Sequence, residues 1–476
     1  MANLSMRTPD GTSTKLDTET VGRFAAGIRG IVLTPDSDGY EASRTIWNAM
    51  IDRKPGLIVE CAGAADVARA VRFAREHNLL VSVRSGGHNI AGSAVCDGGM
   101  MISLARMKSI RVDPKARRAW VEPGNTLGDV DKETQAYALA LPVGINSTTG
   151  IAGLTLGGGF GWLSRRHGLT IDNLISADVV TADGQLARAS AEENPDLFWG
   201  IRGGGGNFGI VTAFEFALHP MGPDVLSGLI VHPISAAADV LRQYRQFCAA
   251  APDEVTVWVV MRKAPPLPFL PPEVHGTEVL VLAALYAGPM GDGEKALAPL
   301  RAIGQPIADV ISPHPFTGFQ AAFDPLLTPG ARNYWKSHDF LALDDGLLDT
   351  LLEYVGTLPD PQCEIFIAQM GGATSRVPTD DTAYRHRDAN FVMNVHGRWN
   401  DAKHDARCIE WCRSLFEAAS PYATGGVYVN FMTEDETDRV QAAYGASYQR
   451  MVELKRKYDP TNLFHLNQNI RPDAAA

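Results

Sequence analysis

Three stretches place clustered glycines beside residues able to grip an anion or attack carbon: RSGGHNIAG from Arg84, GINSTTGIAGLTLGGGFG from Gly144 and GIRGGGGNFG from Gly200. Glycine lets a backbone approach a ligand closely and leaves its N–H groups unshielded for an anion. A single Gly-Gly pair is an ordinary turn. Three such loops within roughly 130 residues, each beside a strand pattern, point to a long phosphate-containing cofactor lying across several loops. Gly204 to Gly209 also satisfies G-x-G-x-x-G. That dinucleotide fingerprint needs a helix after the loop to aim its N-terminus at pyrophosphate. Here IVTAFEFAL follows, an alternating strand pattern, so the fingerprint fails its own context.

The elements that must hold these loops are legible in the hydrophobic pattern. LIVE, then Val67, Ala70, Val71 and Ala74 at helical spacing, then VSVR predict a β-α-β unit ending in the loop of His88. A strand, turn and helix follow in RAWVEPGNTLGDVDKETQ, and Ala182-Asp183-Gly184 predicts a hairpin turn. After His219-Pro220 glycine thins and long helices such as SAAADVLRQYRQFCAAA alternate with apolar strands such as VTVWVVM and EVLVLAALYAG. A second change falls near Gly425, where a strand through VYVNF, an acid-capped helix and an Asp459-Pro460 turn are expected. The chain therefore divides into 1–220, 221–424 and 425–476. APPLPFLPP reads as a stiff loop.

A net charge of -11 with no basic tract excludes a nucleic-acid partner, because phosphate binding needs a basic face. The N-terminus lacks a signal-peptide core, and no run is long enough to span a membrane, so a cytoplasmic protein with a small-molecule partner is expected. The six cysteines are scattered, and Cys408 and Cys412 in RCIEWCRSLF read as a buried helix face rather than a metal site. Composition does not fix the oligomeric state.

The quoted loops, with VEPGNTLGDV, LFWGIRGGGGNFGIVTAFEF and the terminal YDPTNLFHLNQNIRP, resemble the FAD-linked oxidases of the vanillyl-alcohol-oxidase type with the PCMH fold, in their berberine-bridge-enzyme-like branch. The resemblance covers most of residues 50–220 and the last fifty, and within the branch it is nearest the 6-hydroxy-nicotine-oxidase-like members. It implies an α+β fold: an FAD-binding domain of two sub-domains from 1–220, a substrate domain with a large antiparallel sheet backed by helices from 221–424, and a C-terminal segment, 425–476, that completes the FAD domain. It implies FAD, bonded covalently to His88, whose neutral imidazole attacks the electrophilic 8-methyl position and raises the flavin potential.

It also implies cofactor contacts for Arg84, Ser85, Gly86, Gly87 and Asn89; for Gly144, Asn146, Thr148, Thr149, Gly150, Gly153, Gly158 and Gly161; for Gly209, Ile210 and Val211; and for Asn430, Asn467 and Asn469. Gly86 and Gly87 are expected to let the backbone close around the pyrophosphate. Relatives with two tethers carry a cysteine where this chain has Asn146, so no second, cysteinyl bond is expected. Three residues on, a valine resembles the oxidases and a leucine the dehydrogenases; Thr149 has the shape of valine, which favours molecular oxygen as acceptor and hydrogen peroxide as product.

The substrate side is thinner. Many relatives take the hydroxyl proton with the second tyrosine of Tyr-x-Asn-Tyr, where this chain has Phe431. On a strand, Tyr428 points to the face opposite residue 431 and cannot take over. Tyr334, Gln369 and His386, with Arg387 beside it, are then the candidates for a base or for substrate hydrogen bonds, or an amine substrate needs no base. The expected activity is oxidation of a small organic alcohol or amine. A dehydrogenase of the same fold, or a flavoprotein cyclase or binding protein without net turnover, stands as the alternative.

Overall fold

The runs LIVE at Leu57–Glu60 and MMIS at Met100–Ser103 are apolar without alternation, as strands covered on both faces are. In the computed structural model, which describes residues 3–473, they pair in parallel. Val81–Arg84 joins in parallel and Ile31–Leu33 antiparallel, making a four-stranded sheet. Helix Ala64–Glu76 provides the crossover and buries Val67, Ala70, Val71 and Ala74, the stripe its spacing predicts.

A second sheet has five antiparallel strands in the order Leu186–Ser190, Leu174–Val180, Ile210–Ala217, Arg118–Val121, Ile110–Asp113. Its first hairpin turns at Gly184, with φ 76°. Ile210–Ala217 starts directly after the loop of Gly204 to Gly209, so this loop leads into a strand.

The third sheet is antiparallel with eight strands. Its central strands lie in the order Asp224–Pro233, Glu278–Tyr286, Val255–Lys263, Glu364–Gln369, Phe391–Trp399, Arg332–Phe340. Strand alternation divides its residues between two faces. Val257, Val259, Ile365, Ile367, Met393 and Val395 pack in one core with helices Ala237–Ala250, Asp345–Val355 and Asp405–Ala419. Trp258, Val260, Phe366, Trp335 and His396 look the other way, toward the glycine loops. Cys408 and Cys412 are buried on helix Asp405–Ala419, and all six cysteines are free thiols. No helix among the described residues is long and apolar enough to cross a membrane.

One predicted strand is absent. Val429–Phe431 forms a turn of 3-10 helix, with the Phe431 N–H donating to the Tyr428 carbonyl at 2.9 Å. The Asn430 amide donates to the Gly153 carbonyl at 3.2 Å and the Leu154 carbonyl at 3.3 Å, and these side-chain bonds fix the backbone locally in place of a ladder. The helix after it is also broken, into Val440–Tyr444 and Tyr448–Tyr458, at Gly445 with φ 51°.

Candidate active site

Where the third sheet faces the glycine loops lies a cavity of about 390 Å³. His88 sits in its wall, carried out by the loop that ends strand Val81–Arg84. Its ring stacks on Trp47 at 4.1 Å, and its Nε2 is buried with no hydrogen-bond partner. Burial, with His396 and Arg398 nearby, pushes its pKa down to about 4 despite a backbone bond that opposes this. A neutral imidazole with a free nitrogen beside a cavity is a nucleophile awaiting an electrophile.

The predicted cofactor residues divide by position. Ser85, Gly86, Gly87, Asn89, Gly144, Asn146, Thr149, Gly150, Gly153, Gly209, Ile210, Val211, Asn430 and Asn467 line the cavity. Gly87 needs its left-handed φ of 69°, and a Cβ on Gly153 would meet open space. Gly86 owes its identity to something other than the cofactor: a Cβ there would stand 2.5 Å from the Gly150 Cα, so two glycine loops meet back to back. Asn146 accepts from the Thr148 N–H at 3.0 Å and hydroxyl at 2.6 Å, which leaves its buried Nδ2 unpartnered. No cysteine lines the cavity.

Five predicted cofactor residues stand behind the wall. Thr148 holds Asn146 as described, and Arg84 donates to the Ser43 carbonyl. Gly158, with φ 126°, makes room for the Tyr384 ring, and Gly161 for the Val143 carbonyl. Asn469 has a buried, unpartnered Oδ1 outside the lining.

Tyr334, Gln369 and His386 do not reach the cavity. Tyr334 and Gln369 have the strand parity of the helix-covered face. The Tyr334 hydroxyl donates to Asp435 at 2.6 Å, and Gln369 Oε1 accepts from the Val257 N–H at 3.0 Å. His386 is engaged with the Ala443 carbonyl at 2.9 Å, and Arg387 grips Asp172 through two bonds of 2.7 Å.

Tyr428 does line the cavity, beside Phe431 with ring centroids 4.9 Å apart, so the opposite-face assignment is wrong because the strand it assumed is a 3-10 turn. Its hydroxyl accepts from the Gly159 N–H at 3.1 Å and the Asn430 amide at 3.0 Å. Burial outweighs these bonds and pushes its pKa up to about 12.

Sequence reasoning missed a polar row on the sheet. Trp335, His396, Glu364 and Arg262 are register partners on four adjacent strands. All four line the cavity. His396 Nδ1 lies 2.9 Å from Glu364 Oε1, and Arg262 Nη1 donates to Glu364 Oε2 at 2.6 Å. Burial alone would raise the Glu364 pKa, but Arg262, His396 and Arg398 overcome it and hold it at about 2. The alternation in EIFIAQ and FVMNVHGRW puts Glu364 and His396 each on an inward face, but only the strand register makes them neighbours.

The C-terminal segment closes the far side of the cavity. The fully buried Lys455 donates to the Asn207 carbonyl at 2.9 Å, the Phe464 carbonyl at 2.8 Å and pairs with Asp459 at 2.8 Å. Asn207, in the third glycine loop, accepts from the Ile470 N–H at 3.0 Å and donates to the Gln468 carbonyl at 3.1 Å. Asn467 and Gln468 thereby reach the wall.

These features fit FAD: a cavity crossed by glycine loops with open Cβ positions, an unpartnered nucleophilic imidazole, and an apolar sheet face. Comparison with known proteins agrees. Residues 55–190 match the family described as FAD binding domain, and residues 427–471 the one described as berberine and berberine like. An FAD-linked oxidoreductase of Dictyostelium discoideum is 32% identical over 96% of this chain and 97% of its own. The (R)-6-hydroxynicotine oxidase of Paenarthrobacter nicotinovorans is 31% identical over 94% and 98%, and a chitooligosaccharide oxidase of Gibberella zeae 29% identical over 92% of each. The crystal structure of 6-hydroxy-D-nicotine oxidase from Arthrobacter nicotinovorans superposes with a TM-score of 0.85 at 29% identity, covering 94% of this chain and 98% of that one. With its glycine loops, sheet-walled cavity and clasping C-terminal segment, the chain belongs to the FAD-linked oxidoreductases of the berberine-bridge-enzyme-like branch and is an FAD-dependent oxidase.

Proposed function

We propose that the protein holds FAD by a single covalent bond through His88, removes a hydride from a small organic alcohol or amine, and passes the electrons to molecular oxygen to give hydrogen peroxide. The observation that carries the tether is His88 itself: neutral, buried, unpartnered at Nε2, and in the wall of a cavity without a thiol. The flavin supplies the two-electron acceptor. The chain's own groups bind and orient: Trp47 fixes the His88 ring by stacking, Asn146 lines the site with an amide that has no partner in the protein, and the aromatic side chains of the sheet exclude water. The six free thiols support a reducing, cytoplasmic setting.

Acid precipitation tests the tether. Yellow colour should stay with precipitated wild-type protein and be lost to the supernatant in His88→Ala, while Asn146→Ala keeps it. Release of flavin from the wild-type protein would refute the bond.

A further inference from the structure

We propose that His396, oriented by Glu364, accepts the hydroxyl proton of an apolar alcohol, so that the substrate is an aryl or alicyclic alcohol rather than an amine or a sugar. This rests on the oxidase reading above and specifies its substrate. An ionised carboxylate can only accept, so the 2.9 Å contact with Glu364 fixes the His396 proton on Nδ1. Nε2 is then a bare lone pair, buried and without a partner in the protein. Arg262 holds Glu364 ionised, and the ring of Trp335 meets that of His396 edge-on at 4.8 Å. The geometry is that of a base held by a third group, one strand at a time. Phe431, at the position where many relatives carry a tyrosine, stands 5.5 Å from Trp335 in the same wall, so the imidazole occupies the side of the cavity that has lost the phenol.

The rest of the sheet wall argues for the body of the substrate. Leu229, Val231, Trp258, Val260, Val281 and Phe366 face the cavity. Apart from the indole N–H groups of Trp258 and Trp335, the polar atoms the sheet offers belong to Arg262, Glu364 and His396. A sugar ring carries hydroxyls around its whole edge, and each one buried without a partner loses its hydration with nothing to replace it. An apolar ring with one hydroxyl leaves none unpaired. In the reaction the O–H bond breaks toward His396 Nε2, the C–H bond gives its electron pair to the flavin as hydride, and C–O becomes C=O. The substrate loses two electrons, the flavin gains them, and dioxygen finally takes them as hydrogen peroxide.

The test uses the flavin-loaded enzyme under anaerobic conditions, mixed with benzyl alcohol, indanol and cyclohexanol, with the matching amines, and with cellobiose. The alcohols should bleach the flavin fastest. Bleaching should slow at acid pH as His396 takes a proton in the field of the groups that face it: Glu364, Arg262, Arg398 and His88. His396→Asn should slow reduction by the ~10²–10⁴-fold typical of a lost general base and abolish the acid limb. Glu364→Gln should move that limb to lower pH, because the imidazolium loses its carboxylate; this variant decides if His396→Asn does not fold. Cyclohexanone binding, followed by flavin difference spectra, should change less than about twofold in either variant, since the apolar wall is intact. Faster bleaching by amines or cellobiose, bleaching by none of the three classes, or an unmoved limb in both variants would overturn the assignment. Dithionite-reduced wild-type enzyme is mixed with oxygen in parallel: rapid reoxidation leaves the oxidase reading standing when the alcohol assignment falls, and slow reoxidation removes oxygen as the acceptor while the anaerobic bleaching still decides the alcohol assignment.

Discussion

Thr149 is held by its backbone on both sides: its N–H donates to the Asn146 carbonyl at 3.2 Å and its carbonyl accepts from the Leu127 N–H at 2.9 Å. Its side chain is therefore free to be changed without moving the loop, and it lines the cavity. β-Branching keeps threonine compact at the backbone, whereas leucine extends further into the space a small acceptor would use. With the flavin reduced and then mixed with oxygen, Thr149→Leu should reoxidise about tenfold more slowly or worse, a barrier increase of about 1.4 kcal/mol, while substrate-driven reduction is little changed. Tyr428 belongs to the same scale. Its hydroxyl is locked between the Gly159 N–H and Asn430, and its pKa is pushed up to about 12, so it positions the 3-10 turn and is not ionised at neutral pH. Tyr428→Phe should lose well under 10²-fold in turnover, with flavin content unchanged; a larger loss would make its hydroxyl part of the chemistry.

The elements were legible wherever pattern alone decides them, and illegible where a partner does. The stripe Val67, Ala70, Val71 and Ala74 and the strand after the third glycine loop follow from periodicity that local sequence carries in full. VYVNF misled because Asn430 bonds its surroundings and winds the backbone, and no alternation records that. Tyr334 stood one residue from Trp335, and the single step in strand parity separates a residue on the helix side from one in the cavity. Glu364 and His396 lie 32 positions apart, and only the pairing of two strands joins them. The C-terminal clasp shows the same dependence. Lys455 and Asp459 look like surface charges one helical turn apart, yet both are fully buried beneath the glycine loop. Lys455→Met leaves the Asp459 charge without its partner and should cost about 3–5 kcal/mol in denaturant unfolding, with less flavin attached per chain. Stability within 1 kcal/mol of wild type would mean that the Leu463 and Phe464 N–H groups, which donate to the Asp459 carboxylate, suffice to hold its charge.

Across the whole molecule, the two halves meet at a joint that titrates. Asp131, on helix Leu127–Gln135, accepts at 3.0 Å from Gln320, whose amide also reaches the Gly144 carbonyl at 3.3 Å. Burial raises the Asp131 pKa to about 7 although the Gln320 bond opposes it. The unfolded chain gives up this proton near pH 4, so the joint's contribution is complete below that and is lost as pH climbs toward 7. Asp131→Asn should therefore gain about 1 kcal/mol or more over wild type at pH 8 and little at pH 4, measured by thermal unfolding at both. Equal gains would place the titrating group elsewhere. The cavity reaches further still along the chain, from Trp47 to Gln468. During synthesis its wall stays open until Gln468 has emerged to reach it. A chain stalled before Lys455 would lack the side of the wall that Asn467 and Gln468 form, even though His88 was made long before.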